Sequence, residues 1–589
     1  MSTSFLLQLI KTLWRARVTS FWAIWITIAL AAAICVTWVV GHAATRVQQE
    51  ADKTPIIRTP RYIWSRGART ALALLALSMV GYITLTLTWE DFAYPDNSTF
   101  TLYTLKGHDL KPPIWRENGR LFPLGHQEFN LIRHFTGTVA GYHALPIVQL
   151  LILSCILLVL DDQLSITARA GLTALALVTP GIVISFGGLI YDERNLVLWL
   201  ACLLFFIKRF EQTQATVWAV VAALCAQIMI YYKETAFLLL MGFAVGRLVL
   251  RCWKGDGAGW DYNRLREKES RLDLCLASLG VLFLLYYAAV MLPHPNVQYA
   301  HDHSRSAVEV LLAYMKLDLL AWLFVVLVLS RVYLILRRRV QPLPLWDGLA
   351  LGGVAYFMAY LYLGMFSGYY LAPVDLIAVL YVGRFAILSW GQRSLGAKVV
   401  IMLVLCAVLF QDVSLSAFRV FERKNVIHGK AEIASVIRAQ YQSGGGNVQR
   451  VFFPFARPYS VMEFASYLNY RGVPVEGAPV ESAGLKSVVL VGGAVAKDGP
   501  CLGYEPFVCH TGSSPDPGDL VIVLPDDDAS LAETTPYRDR GERLFSYEPR
   551  PRIPQWLSPF FSHFHVISYA FPNKELPDRW LHASVTAWK

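Results

Sequence analysis

Directly after an apolar stretch the chain places Trp89-Glu90-Asp91-Phe92-Ala93-Tyr94-Pro95-Asp96, and further on Trp115-Arg116-Glu117-Asn118-Gly119-Arg120. A carboxylate in hydrocarbon is costly, so acids gathered at the end of a membrane helix face water, a cation or a reacting polar group. The chemistry open to them there is proton abstraction from a hydroxyl, which a positioned carboxylate performs as a general base. Asp91 is the first candidate, because it begins the loop at the membrane surface. Glu90 points differently, and Asp96 lies in the turn-like Tyr94-Pro95-Asp96-Asn97. The competing role for Asp91 or Asp96 is to cap a following helix.

Further polar residues occupy short junctions between apolar runs. Tyr191-Asp192-Glu193-Arg194-Asn195 offers Asp192 or Glu193 to a metal or an acceptor, and Arg194 to a phosphate; a solvated hairpin turn with a local ion pair is the alternative. Tyr232-Lys233-Glu234-Thr235 supplies a second phosphate candidate in Lys233, with snorkelling to the interface as its competitor. Between His294 and Arg305 lie His301, Asp302 and His303. Such residues bind zinc or manganese, but their spacing matches no closed metal motif. Hydrogen bonding to a phosphate, with Arg305 as the charge-assisted partner, is the better use. His126-Gln127-Glu128 and Arg133-His134 either line the same cavity or mark an amphipathic helix on the membrane surface. Asp526-Asp527-Asp528 reads as a solvated loop sooner than as a cation site. The sequence has no Gly-x-x-x-x-Gly-Lys, no Gly-rich dinucleotide turn and no His-Glu-x-x-His, so nucleotide-driven transport and zincin chemistry lack support.

The elements that must position these residues are membrane helices. At 55% hydrophobic and 16% charged over 589 residues, the chain is too apolar for a soluble protein of its size. Apolar runs begin near Trp22, Ala71, Val139, Ala168, Leu196, Val217, Ala236, Leu274, Val310, Leu349, Leu371 and Val399, which gives about twelve candidate spans of roughly 20 residues. The net charge of +10 comes largely from Lys and Arg in alternate loops, such as Arg46 to Arg69, Arg247 to Arg271 and Arg337 to Arg339. By the positive-inside rule those loops are cytoplasmic, so the charge reports topology and not nucleic acid. The outer face then receives the loop from Glu90 to Arg133, the Tyr191 to Asn195 turn, the loop from Pro293 to Val308 and everything after about Phe410. The span from Phe21 to Val40 must run inward although Lys11, Arg15 and Arg17 precede it, unless it lies in the interface. After Phe410, strand-like runs at Ser487 to Val491 and Leu520 to Leu524 announce a small α/β unit. Cys501 and Cys509 lie close together in it, and an oxidising compartment favours a disulfide between them.

Trp89 to Tyr94 resembles the Asp-Asp-Phe-x-Tyr type of motif in the first external loop of GT-C glycosyltransferases, with Glu90 in place of the first aspartate. Trp115 to Arg120 resembles the Trp-x-x-x-Gly-Arg that often follows, and Ser367 to Pro373 the Arg-Tyr-Leu-x-Pro stretch, with Tyr369 where arginine is expected and Tyr370 on the motif's tyrosine. The resemblance implies a polytopic α-helical membrane protein with a C-terminal external α/β domain. Residues 1–70 would be an added helix and basic cytoplasmic loop, 71–411 the transmembrane catalytic domain, and 412–589 the periplasmic domain of a bacterial inner-membrane protein. It implies transfer of a sugar from a polyprenyl-phosphate donor to a glycan, lipid or protein acceptor, with inversion. Asp91, Glu90 and Asp96 would then supply the base; Lys233, Arg305, Arg194 and Tyr370 would meet the donor phosphate. Asp192, Glu193, Glu234 and Arg120 would form a second acidic site for the acceptor. A divalent ion, magnesium or manganese, is the one cofactor such a site leaves room for.

Two other readings stay open. A transporter or flippase of lipid-linked oligosaccharide places polar residues near the midplane, and Asp375 and Arg384 lie inside an apolar segment. A glycan polymerase or ligase also works externally, with its essential arginines in a large periplasmic loop.

Overall fold

The computed structural model describes residues 66–87, 91–94, 97–116, 119–253, 260–291, 306–390, 395–443, 450–476, 487–493, 499–500, 507–527, 531–547 and 583–589. Up to residue 443 the described chain is almost wholly helical. In order, α1 is Arg66–Leu87, α2 Asn97–Leu105, a short hairpin joins β1 Ile114–Trp115 to β2 Arg120–Leu121, and α3 is Gln127–Ile132. Then come α4 Val139–Leu160, α5 Ile166–Val178, α6 Pro180–Gly187, α7 Glu193–Thr213, α8 Thr216–Tyr232, α9 Ala236–Cys252 and α10 Lys268–Met291. They are followed by α11 Ala307–Leu317, α12 Leu319–Leu336, α13 Pro344–Tyr362, a 3-10 turn at Gly368–Leu371, α14 Ala372–Leu388 and α15 Leu395–Ser443.

Local chemistry sets many of the boundaries. Ser165 and Thr138 accept from backbone N–H groups at the starts of α5 and α4. Ser306 and Glu309 form a reciprocal capping box on α11, and Asp318 caps α12. Pro180 cannot continue α5 but suits the first turn of α6, and the two helices meet at a bend of 66°.

Five described helices are long and apolar enough to cross a membrane, six if the bent pair counts as one span. The expectation of about twelve is therefore not reproduced among the described residues, and the run expected near Trp22 lies outside them. The run expected near Val310 divides into α11 and α12. Several other helices carry ionised groups at their ends, which shortens their apolar length. At the basic end Arg247 and Asp273 are fully buried 3.2 Å apart; Glu211 accepts from Arg247 at 2.7 Å and from Arg251 at 2.5 Å. Buried charge persists only when paired in this way.

The closest helix contact joins α9 to α13. Gly242 and Gly246 on α9 face Gly348 and Gly352 on α13, two small-x-x-x-small pairs that let the backbones touch. This pairing was not anticipated from the sequence. A Cβ at Gly352 would lie 2.6 Å from the Leu239 carbonyl oxygen.

Beyond α15 the chain builds a seven-stranded sheet in the order β5-β6-β4-β3-β7-β9-β8. The strands are β3 Arg450–Phe453, β4 Val489–Gly492, β5 Gly499–Pro500, β6 Val508–Thr511, β7 Leu520–Val523, β8 Gly541–Tyr547 and β9 Ala583–Trp588. β6, β4, β3 and β7 are parallel, with Val451 opposite Leu490 on one side and Leu520 on the other; the edge strand β5 is antiparallel to β6, and β9 pairs antiparallel with both β7 and the edge strand β8. The helix α16, Pro458–Tyr470, follows β3 and packs on the sheet, and α17 is Leu531–Asp539. The expected strands at Ser487 to Val491 and Leu520 to Leu524 thus correspond to β4 and β7. Cys509 is disulfide-bonded; Cys501, its expected partner, lies outside the described residues. α15 runs unbroken through residue 412, so the change of composition there falls inside a helix of 49 residues.

Gly352→Ala is expected to lower apparent stability by about 1–3 kcal/mol through overpacking of α9 on α13. Gly171→Ala, where a Cβ meets nothing within 4 Å, serves as the neutral control in the same thermal unfolding assay.

Candidate active site

The loop between α1 and α4 is held between the helical body and the sheet domain. Phe92 is buried against Tyr142 of α4 and Tyr470 of α16, with ring centroids 5.7 Å away in each case. Ala93 packs into the core of the sheet domain. These contacts fix Asp91 next to them. One carboxylate oxygen accepts from the Phe92 backbone N–H at 2.7 Å and the other from the Tyr467 hydroxyl at 2.6 Å, with Arg471 at 3.8 Å. Burial raises the Asp91 pKa above its ordinary value, and the Tyr467 hydrogen bond works in the opposite sense. Glu90 and Asp96 lie outside the described residues.

Behind this loop lies a network of buried charge. Arg194, fully buried, donates from Nε to Gln149 at 2.9 Å and from Nη2 to Glu128 at 2.5 Å, while Nη1 serves the Gly188 and Leu189 carbonyls. It therefore ties the turn before α7 to α3 and α4. Lys233 pairs with Glu193 at 2.7 Å and stands 5.1 Å from the centre of the Tyr370 ring. Arg120 pairs with Glu234 and lies over Phe122. The residues expected at the phosphate and at the second acidic site are thus gathered on one side, but Arg194, Lys233 and Arg120 each already hold a carboxylate. Sequence reports the charge of a side chain and not its partner.

Asp192 and His126 meet within this network, 3.6 Å apart, and the His126 backbone N–H donates to Asp192 at 3.3 Å. Burial, then the neighbouring Glu128, raises the Asp192 pKa well above the ordinary value. Burial, then Arg194, holds His126 down to about 3. The His126 ring is neutral, so the contact is no ion pair. His126 also has φ 60°, a left-handed conformation that strains a residue with a Cβ.

A cavity of about 160 Å³ opens between α1, α6, the Gly368 turn and α15, and Tyr94 of the acidic loop reaches its wall. Tyr94, Tyr191, Tyr369, His143, Arg419 and Arg423 are among its lining residues, and Tyr191 stacks on Tyr369 at 4.4 Å. Arg419 donates to Glu422 at 2.7 Å. Arg423 stands 5.0 Å from the centre of the Tyr94 ring. Sequence reasoning did not single out Arg419, Arg423, Tyr467 or Gln149. The signal for the two arginines was their spacing of four on a helix that starts as an apolar run, readable only if the helix is carried past residue 412.

Arg305, His301 and His303 lie outside the described residues. Among the described residues, no group of three or more His, Cys, Asp or Glu side chains is placed to hold a metal ion.

No protein-family model and no curated protein matches the sequence. Among solved structures, the crystal structure of ArnT from Cupriavidus metallidurans bound to undecaprenyl phosphate is similar over 88% of this chain and 98% of that chain, with 13% identity and a TM-score of 0.39. Its apo state is similar over 80% of this chain and 96% of that chain, with 13% identity and a TM-score of 0.36. ArnT is a GT-C glycosyltransferase.

Arg194→Met is expected to cost about 3–5 kcal/mol, because it strands Glu128 in the interior. The double variant Arg194→Met, Glu128→Met should recover part of that loss; unfolding midpoints of the three proteins measure it, and additive losses would sink the account.

Proposed function

We propose that the chain is a glycosyltransferase that moves a sugar from a polyprenyl-phosphate donor to a glycan, lipid or protein acceptor at the outer face of the membrane. The observation that carries this reading is Asp91, a half-buried carboxylate in the loop that follows α1, held by Phe92 and Tyr467 and raised in pKa, with Tyr94 of the same loop lining the cavity. A carboxylate with a raised pKa is a stronger base when ionised. The ionised group takes the proton of an acceptor hydroxyl; the acceptor oxygen attacks the anomeric carbon; the bond from that carbon to the phosphate oxygen breaks, and polyprenyl phosphate leaves. Attack opposite the leaving group inverts the anomeric centre.

Loop charge supports an external site: Asp91 lies at the end of α1 away from the basic cluster that precedes it, in a bacterial inner membrane with the sheet domain periplasmic. Of the two residues behind the transport reading, Arg384 pairs with Asp161 at 2.9 Å, as a helix-packing ion pair does, while Asp375 accepts from the Gly181 backbone N–H at 2.8 Å. Glu193 and Asp192 remain the candidates beside the acceptor, and a divalent ion would have to be held with help from residues such as His301 and His303.

Asp91→Asn is expected to lower transfer by about 10²–10⁴-fold, with folding and donor binding retained; activity near wild type would move the base elsewhere. A second variant reads the pH dependence. The base works ionised, so activity falls as pH drops through the Asp91 pKa. Tyr467→Phe removes a bond that favours the ionised form, so the acidic limb of the rate profile should move to higher pH. An unmoved limb would separate Tyr467 from the titrating group.

A further inference from the structure

Three buried acids gather where α5 gives way to α6. Asp318 caps α12, Asp375 stands in the first turn of α14 and Asp412 lies on α15; they are 3%, 1% and 0% exposed. The Asp318 and Asp375 carboxyl groups are in contact, and the charged neighbour that acts on Asp412 is Asp318, again an acid. Asp375 accepts from the Gly181 backbone N–H at 2.8 Å through Oδ2, and Asp318 from the Ala321 backbone N–H at 2.9 Å through Oδ1. Oδ1 of Asp375 and both oxygens of Asp412 are buried with no hydrogen-bond partner among the described residues. Cations on the surrounding helices are held elsewhere: Arg384 by Asp161, Arg331 by Asp347, Arg419 by Glu422 and Lys233 by Glu193. Arg423 is eleven residues further along α15, roughly 16 Å at the helical rise. Tyr314 of α11, the phenol that senses Asp375, donates to the Met365 carbonyl at 3.2 Å.

The three cannot all be ionised. A carboxylate out of water needs a cation or several donors, and a second or third negative charge beside it adds repulsion. A helix N-terminus serves one negative charge, and α6 turns its own toward Asp375. The remaining charge has to be removed. Among the described residues no three such side chains are placed to hold a metal ion, whereas a proton needs no coordination shell, and acids this close titrate as a group and share protons.

The same place is a joint between helices. Ser416, one turn beyond Asp412, donates at 2.8 Å to the carbonyl of Val178, the last residue of α5, so α15 is fastened at the 66° bend. From that bend α6 runs from Gly181, where a Cβ would lie 2.5 Å from Asp375 Oδ2, to Gly187 in the cavity wall.

We infer that Asp318, Asp375 and Asp412 form a proton-binding site inside the membrane unit, loaded at neutral pH, that fastens α15 and the start of α6 to α12 and α14. It holds whether or not the chain transfers a sugar. Emptying the site would set like charges against one another at the joint, and α6 would loosen together with the cavity wall it forms.

The test is thermal unfolding of the full chain in nanodiscs, for wild type, Asp318→Asn, Asp375→Asn and Asp412→Asn, from about pH 4 to about pH 9. A carboxyl that stays protonated in the folded protein contributes stability that is complete below the unfolded value, about pH 4, and is lost as pH rises toward the folded one. Asparagine cannot ionise and escapes that loss. Each variant should therefore start close to wild type at about pH 4 and show a midpoint that climbs above it as pH rises. Because the acids act on one another, Asp375→Asn with Asp412→Asn should gain less than the sum of the single variants. A protonated-carboxyl infrared band at about pH 7 should shrink in each single variant. A variant that instead loses most at neutral pH would reveal an ionised acid with a partner and overturn the site. So would a gap that does not change with pH, additive gains, an infrared band unchanged in all three, or failure of all three to fold. A wild-type midpoint that rises when sodium replaces potassium at fixed ionic strength would give the site to a metal cation and overturn it as well.

Discussion

A charge withdrawn from water must find a partner, and the outer half of this protein is organised by that requirement. Arg194 is the central case. Its guanidinium joins Gln149 on α4, Glu128 on α3 and two carbonyls of the turn before α7. It fixes the turn before α7 against α3 and α4. With it, the turn carrying Tyr191 is held where that ring can stack on Tyr369, and one wall of the cavity is formed. Lys233 and Arg120 repeat the pattern with Glu193 and Glu234. Desolvated pairs of this kind are poor sources of net stability but strong determinants of which arrangement is tolerated, since either partner alone is severely unfavourable.

The sequence made the region legible but not the roles within it. Periodicity and loop charge placed Asp91, Asp192, Glu193, Arg194, Lys233 and Glu234 in junctions, and the structure gathers them around the same loop. What spacing cannot give is pairing across distant segments. Glu128 and Arg194 are 66 residues apart, and nothing local says that one cancels the other. Arg423 was missed for a different reason. Composition changes near residue 410 while the helix does not, so a boundary drawn on hydropathy falls inside α15 and separates its arginines from the apolar run that begins it. The position where the resembling motif has arginine holds Tyr369, and the arginines that line the same cavity, Arg419 and Arg423, arrive from a helix far along the chain. The α/β character of the C-terminal unit was readable from short β-branched runs; the order of its strands, set by long-range pairing, was not.

The helical count is met only in part, with five described helices, or six if the bent pair is one span, long and apolar enough to cross a membrane. A window of hydropathy treats each charge as a break, yet Arg247 and Asp273 lie fully buried because each neutralises the other. Conversely, the paired glycines of α9 and α13 look unremarkable as composition and matter only because they oppose one another. Both features are properties of pairs of helices, invisible in either one alone.

One consequence concerns mechanics. At about 1.5 Å per residue, α15 is a rod of roughly 74 Å, and its 49 residues form a single helix from the membrane unit to the last turn before the sheet. Arg423 sits on that rod, and Tyr467 sits on the domain the rod carries. The guanidinium in the cavity and the hydroxyl on Asp91 therefore belong to one lever. Any tilt of the sheet domain therefore moves the cavity wall and the hydrogen bond on Asp91 together.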